Sequence, residues 1–157
     1  MRTWVEELET ALKKEEQIVR ALLEQALLKT PALQVGNIAE LSAIVNREQP
    51  LVLQLQSTRE GQQRILSQNG VEGETLRAVI AQAPEKEEAL SHLRETLRAA
   101  VLELQRVNTK NHAIAASRFA QYDQLVKSLQ KPQTLYTNHG AASGRKSTGQ
   151  AFIDQKI

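Results

Sequence analysis

The chain contains no cysteine. That removes disulfides, thiolate metal sites and thiol nucleophiles together. Aromatic residues make up 3% of it, and the whole set is Trp4, Phe119, Tyr122, Tyr136 and Phe152. A compact core normally draws on large rings. Here Leu, Ile, Val and Ala supply an apolar content of 41%, as they do along seams between packed helices. Long apolar runs are missing too. Stretches such as Ala99-Ala100-Val101-Leu102 are far too short to cross a bilayer. Glu6 and Glu7 interrupt the chain before a secretory apolar segment can form. The expectation is a soluble, cytoplasmic protein with no membrane insertion.

A net charge of one sign is also nearly absent. The chain carries +2, and this sits in the segment from Pro132 to Ile157, where Arg145, Lys146 and Lys156 face only Asp154. The body from Met1 to Lys131 is neutral. A nucleic-acid binder needs a basic stripe on its folded part, so nucleic acid is not expected as a partner. A small binder using the basic tail alone is the weakest alternative. The charged fraction of 24% mixes both signs throughout, which describes a solvated helix surface.

What is present is helical periodicity. Trp4, Leu8, Ala11, Leu12, Ile18, Leu22 and Ala26 recur at three- and four-residue steps, with Glu15 interrupting the stripe. This predicts a first helix from Trp4 to Leu28, ended by Thr30-Pro31. Asn37 with Glu40 reads as a capping box opening a second helix. Pro50 should kink that helix, or else split it in two. Asn69-Gly70 and Gly73 predict a turn, and Glu74 to Gln82 a short helix. Pro84 suits the first position of the last helix, and Glu85, Glu87 and Glu88 complement its dipole. Leu90, Leu93, Leu97, Ala100, Leu104, Val107, Asn111 and Ile114 carry its stripe, which continues through Ala115, Phe119, Tyr122, Val126 and Leu129. Leu90 to Leu129 spans roughly 60 Å, too long for a compact core. The predicted fold is all-α: an elongated antiparallel hairpin or bundle of long amphipathic helices, with a short extra helix. Residues 1–131 form the bundle, and residues 132–157, rich in Gly, Ser, Thr and Asn, form a flexible C-terminal tail.

Sites for chemistry do not emerge. His92 and His112 lie about 30 Å apart on one helix, and no His-x-x-x-His or Glu-x-x-His pair occurs. There is no phosphate-cradling glycine loop and no nucleophile elbow. The expectation is a non-enzyme with no catalytic residues, metal or cofactor. Three features remain. Asn111 falls on the stripe with Asn108 nearby, either as a register-setting polar contact or as a polar hinge for a partner helix. Tyr136, in Leu135-Tyr136-Thr137-Asn138-His139-Gly140, is a partner anchor or folds back on the bundle. Phe152, Ile153 and Ile157 either dock as a short amphipathic turn or fray.

Val107-Asn108-Thr109-Lys110-Asn111 resembles the Asn-x-x-Asn of the FlgN family of flagellar type III export chaperones. Leu135-Tyr136-Thr137-Asn138-His139-Gly140 resembles that family's Leu-Tyr-x-x-x-Gly motif just past the last helix. The basic, glycine-containing end with Ile153 and Ile157 resembles its short tail. The order of these features matches as well.

The resemblance implies a cytoplasmic chaperone for the hook-associated proteins that join hook to filament. It would keep these clients unassembled and deliver them to the export apparatus. The client helix is expected on Leu97, Val101, Leu104, Asn108, Asn111, Ile114, Phe119 and Tyr122. Leu135, Tyr136 and Gly140 are expected to dock on the cytoplasmic domain of the export gate. Thr137 stands where the family often has glycine, which puts the local backbone in doubt. The alternative is a structural coiled-coil protein acting by self-association, and a homodimer is left open by either reading.

Overall fold

A computed structural model describes residues 2–73 and 75–129. Among these residues every regular element is helical, in the order α1 (Trp4–Val35), α2 (Ile38–Gln68), α3 (Leu76–Ile80), a 3-10 turn (Pro84–Lys86) and α4 (Glu87–Leu129).

Helix α1 begins on a complete capping box. The Thr3 side chain accepts from the Glu6 amide, and the Glu6 carboxylate accepts from the Thr3 amide. Contrary to expectation, Pro31 does not end the helix. It lies in the last turns, exposed. The carbonyl it deprives of a donor is that of Leu27, whose residue is itself half exposed, so water can take the lost donor's place. The helix stops instead at Gly36, in the left-handed region at φ 69°. There the Asn37 amide donates to the Ala32 carbonyl and the Gly36 amide to Leu33, a Schellman closure that glycine adopts without steric cost.

Helix α2 runs unbroken through Pro50, which settles the choice between one helix and two. Pro50 and Asn46, whose carbonyl it frees, are both exposed, the arrangement in which a proline is least disruptive. Asn37 accepts from the Glu40 amide as its N-cap. Helix α3 is shorter than its predicted span, and its N-cap is Thr75, whose side chain accepts from the Ala78 amide. Pro84 opens a 3-10 turn that leads into α4.

Helix α1 is the central element and packs extensively against both α2 and α4. The two partners run in opposite directions. Lys29 meets Glu48 and Glu15 meets Arg59, so α2 is antiparallel to α1. Lys86 meets Glu9 near the start of α1, and Asn111 meets Ala26 and Thr30 near its end, so α4 is parallel to it. Helix α2 returns the chain to the base of the bundle, where α3 seats Val79 and Ile80 in the core and Ala83 follows just after it.

The core follows from this arrangement. Val5, Leu8, Leu12, Val19 and Leu22 of α1 interlock with Leu90, Leu97, Val101, Leu104 and Val107 of α4. At about 25 cal/mol per Å² of apolar surface, each such side chain contributes roughly 1.5–3 kcal/mol relative to full exposure. The Asn108–Asn111 motif lies in α4. The Leu135–Gly140 motif, the Phe152, Ile153 and Ile157 cluster and the boundary of the expected tail lie outside the described residues.

Candidate partner-binding surface

Helix α4 is longer than anything beside it. The tip of the α1–α2 hairpin is Gly36, and the Arg118 guanidinium reaches to 3.8 Å from where a side chain at Gly36 would begin. Helix α4 ends at Leu129, so 11 residues of it pass the tip. At 1.5 Å per residue that overhang is about 16 Å long.

The overhang continues the core-facing side of α4. Counting from Leu104 in steps of three, four and seven gives Asn111, Ala115, Tyr122, Val126 and Leu129, all on one helix face. Up to Asn111 that face is closed. Beyond the hairpin it is exposed: Tyr122 is 65% accessible, Leu125 56% and Leu129 77%. Phe119 lies on the same strip, half exposed.

The expected client residues therefore fall into two groups. Leu97, Val101, Leu104 and Asn111 are 1–4% accessible. They face into the bundle, and in this arrangement no partner helix can reach them. Their apolar periodicity is spent on α1. Ile114 and Asn108 are half-buried at the margin. Phe119 and Tyr122 are at the surface. Sequence reasoning did not single out Leu125 or Arg118. Leu125 follows Tyr122 by three residues, which was legible in the spacing. Arg118 was not, because its place depends on where the hairpin ends.

Asn111 is a structural contact here. Its side-chain amide donates to the Ala26 carbonyl at 2.8 Å, and its oxygen accepts from the Thr30 hydroxyl at 2.6 Å. Its hydrogen-bonding groups are engaged inside the bundle, as a register-setting polar contact requires. Glu15 is the buried polar group of α1 among the described residues. Its carboxylate accepts from Arg59 Nε and from the Gln62 side chain, each at 2.7 Å. The interruption seen in the sequence is thus a polar lock between α1 and α2.

At the base, Glu9 accepts from Lys86 and lies beside Lys13, each at 3.0 Å. The Lys86 hydrogen bond, followed by that of Lys13, holds the Glu9 carboxyl below the usual glutamate range. Among the described residues no cluster of histidines and carboxylates could hold a metal ion, and no helix is long and apolar enough to cross a membrane.

Fold and surface define a class: an all-α bundle protein with an extended apolar strip that its own described helices leave uncovered. The family model described as FlgN protein matches residues 1–144. The chain belongs to the FlgN family, whose general role is that of a flagellar export chaperone. No curated protein and no solved structure matches it.

Proposed function

We propose that this chain is a cytoplasmic chaperone for hook-associated flagellar proteins, holding a client helix on the α4 overhang. The observation that supports this is a seam of the bundle running on past its own partner helices. Tyr122, Leu125 and Leu129 present an apolar face at helical spacing. A helix from a disordered client terminus loses conformational entropy when it orders, and burial of a continuous strip offsets that loss. Anchors one turn apart are what a helix laid along another helix uses. Such holding keeps the client unassembled and needs no cofactor. The segment Leu135–Gly140, with Tyr136, then acts as the separate handle for the cytoplasmic domain of the export gate.

The test is co-expression with hook-associated proteins followed by co-purification. Wild type should recover a client. Tyr122→Glu with Leu129→Glu should lose it while circular dichroism shows an unchanged helical bundle. Tyr136→Ala should retain the client yet impair export in motile cells. Recovery of no hook-associated protein by the wild type overturns the client assignment. Loss of client in Tyr136→Ala overturns the division of labour between overhang and tail.

A further inference from the structure

Charge is unevenly distributed along α4. Its first half and the preceding turn are rich in glutamate, with Glu85, Glu87, Glu88, Glu95 and Glu103. From Gln105 to Leu129, Asp123 is the only acid among Arg106, Lys110, Arg118 and Lys127. Two of these four cations are engaged locally. Arg106 pairs with Glu103, and Lys127 with Asp123.

Arg118 is different. Like Lys110 it makes no ion pair among the described residues, but unlike Lys110 it sits where the hairpin tip meets the start of the overhang. Helix α1 has no basic residue in its last turn, so the Arg118 guanidinium supplies the positive charge at that carbonyl-bearing end. It is exposed and retains donors for a planar, two-oxygen acceptor. Any helix laid on the strip of Tyr122, Leu125 and Leu129 must begin or end against the hairpin tip, beside this cation.

We infer that Arg118 is a carboxylate-capturing residue, and that the partner of the overhang is an amphipathic helix edged by acidic residues at the end abutting the hairpin tip. This rests on the overhang being the helix-binding surface, and it adds the chemistry by which a helix is chosen. The apolar strip supplies contact area common to many amphipathic helices. The cation discriminates among them, because a lysine or arginine placed against Arg118 is repelled whereas a carboxylate is drawn in. An exposed pair of this kind changes affinity by at most about fivefold and weakens with added salt.

The experiment uses the full chain and three labelled synthetic helical peptides. They share one leucine pattern and capped termini, and carry glutamate, glutamine or lysine at both ends. Fluorescence anisotropy should give the glutamate peptide tighter binding than the glutamine peptide, by up to about fivefold, and the lysine peptide weaker binding still. Arg118→Glu should reverse that order, and Arg118→Lys should largely preserve it. The preference should shrink in 0.5 M salt. Equal binding of all three peptides overturns the proposal, as does a preference that survives Arg118→Glu. Binding of none overturns it too, and client co-purification then shows whether the chaperone reading still stands. Sedimentation of the chain as a dimer that Tyr122→Glu dissociates assigns the strip to a second copy and also overturns the proposal.

Discussion

The two parts of α4 carry one apolar stripe at the same helical spacing and meet opposite fates. From Leu90 to Asn111 the apolar stripe is shut inside the bundle, with Leu90 at 0% and Leu97 at 1% accessibility. From Tyr122 to Leu129 the same face stands open. The spacing of the stripe does not separate them, although the overhang adds Phe119 and Tyr122. The difference is made by α1 and α2, which turn back at Gly36. An apolar stripe is therefore a binding surface only where the chain's own helices do not reach, and hairpin length decides how much of α4 is core and how much is offered to a partner.

The sharpest way to break this comparison is to truncate one leucine in each part. Leu97→Ala removes a fully enclosed side chain from the α1–α4 interface and should destabilise the bundle by about 3 kcal/mol. Leu125→Ala removes a half-exposed one and should stay within about 0.5 kcal/mol of wild type. Urea denaturation followed by circular dichroism measures both. Client recovery should follow the reverse order once each protein is assayed at a temperature where it is folded. Equal destabilisation by the two would mean that the overhang is packed against something as firmly as the core is.

Asn111 marks the upper end of the closed part and allows a finer test. Asn111→Ala leaves the Thr30 hydroxyl without its 2.6 Å acceptor and opens space in a buried position, which should cost about 1–2 kcal/mol. Asn111→Leu should recover much of that. The Thr30 hydroxyl has a second acceptor in the Ala26 carbonyl at 3.4 Å, and leucine fits the apolar seam around it. If Asn111→Leu is as damaging as Asn111→Ala, the asparagine contributes more than register, and the hinge reading gains ground.

How much was legible follows the range of the forces involved. The helices and their caps rest on local rules, and Asn37 caps α2 as its residue type predicts. The turn at Asn69-Gly70 was equally plain, with Gly70 at φ 64°. The reading failed at Pro31, because a proline's effect depends on whether the orphaned carbonyl faces water, and sequence does not state which way a helix is turned. At Leu97, Val101 and Leu104 the reading identified the stripe but not the burial of that stripe inside the bundle. Periodicity identifies an apolar face but not what covers it. Covering is a long-range fact, set here by the 32 residues of α1 running parallel to α4. Glu15 was visible as an interruption, but its Arg59 and Gln62 partners lie 44 and 47 residues away and could not be paired with it by spacing.

The smallest expected effect lies at the opposite end of α4, where Glu9 joins its start to the start of α1. Lys86 and Lys13 favour the ionised form of Glu9 and hold its carboxyl below the ordinary glutamate range. A depressed folded-state value means that the unfolded chain binds the proton more readily. The contact therefore contributes its full stability above the ordinary glutamate range and loses it as pH falls through the lowered folded value. Glu9→Gln should accordingly lower Tm slightly at pH 7, and the gap to wild type should close as the solution is acidified. Lys86 is substantially exposed, so the effect should also fade in high salt. Thermal melts of both proteins from pH 7 to pH 3 measure this directly. A gap that stays constant over that range would mean that Glu9 supports the base of α4 through packing of its side chain rather than through its charge.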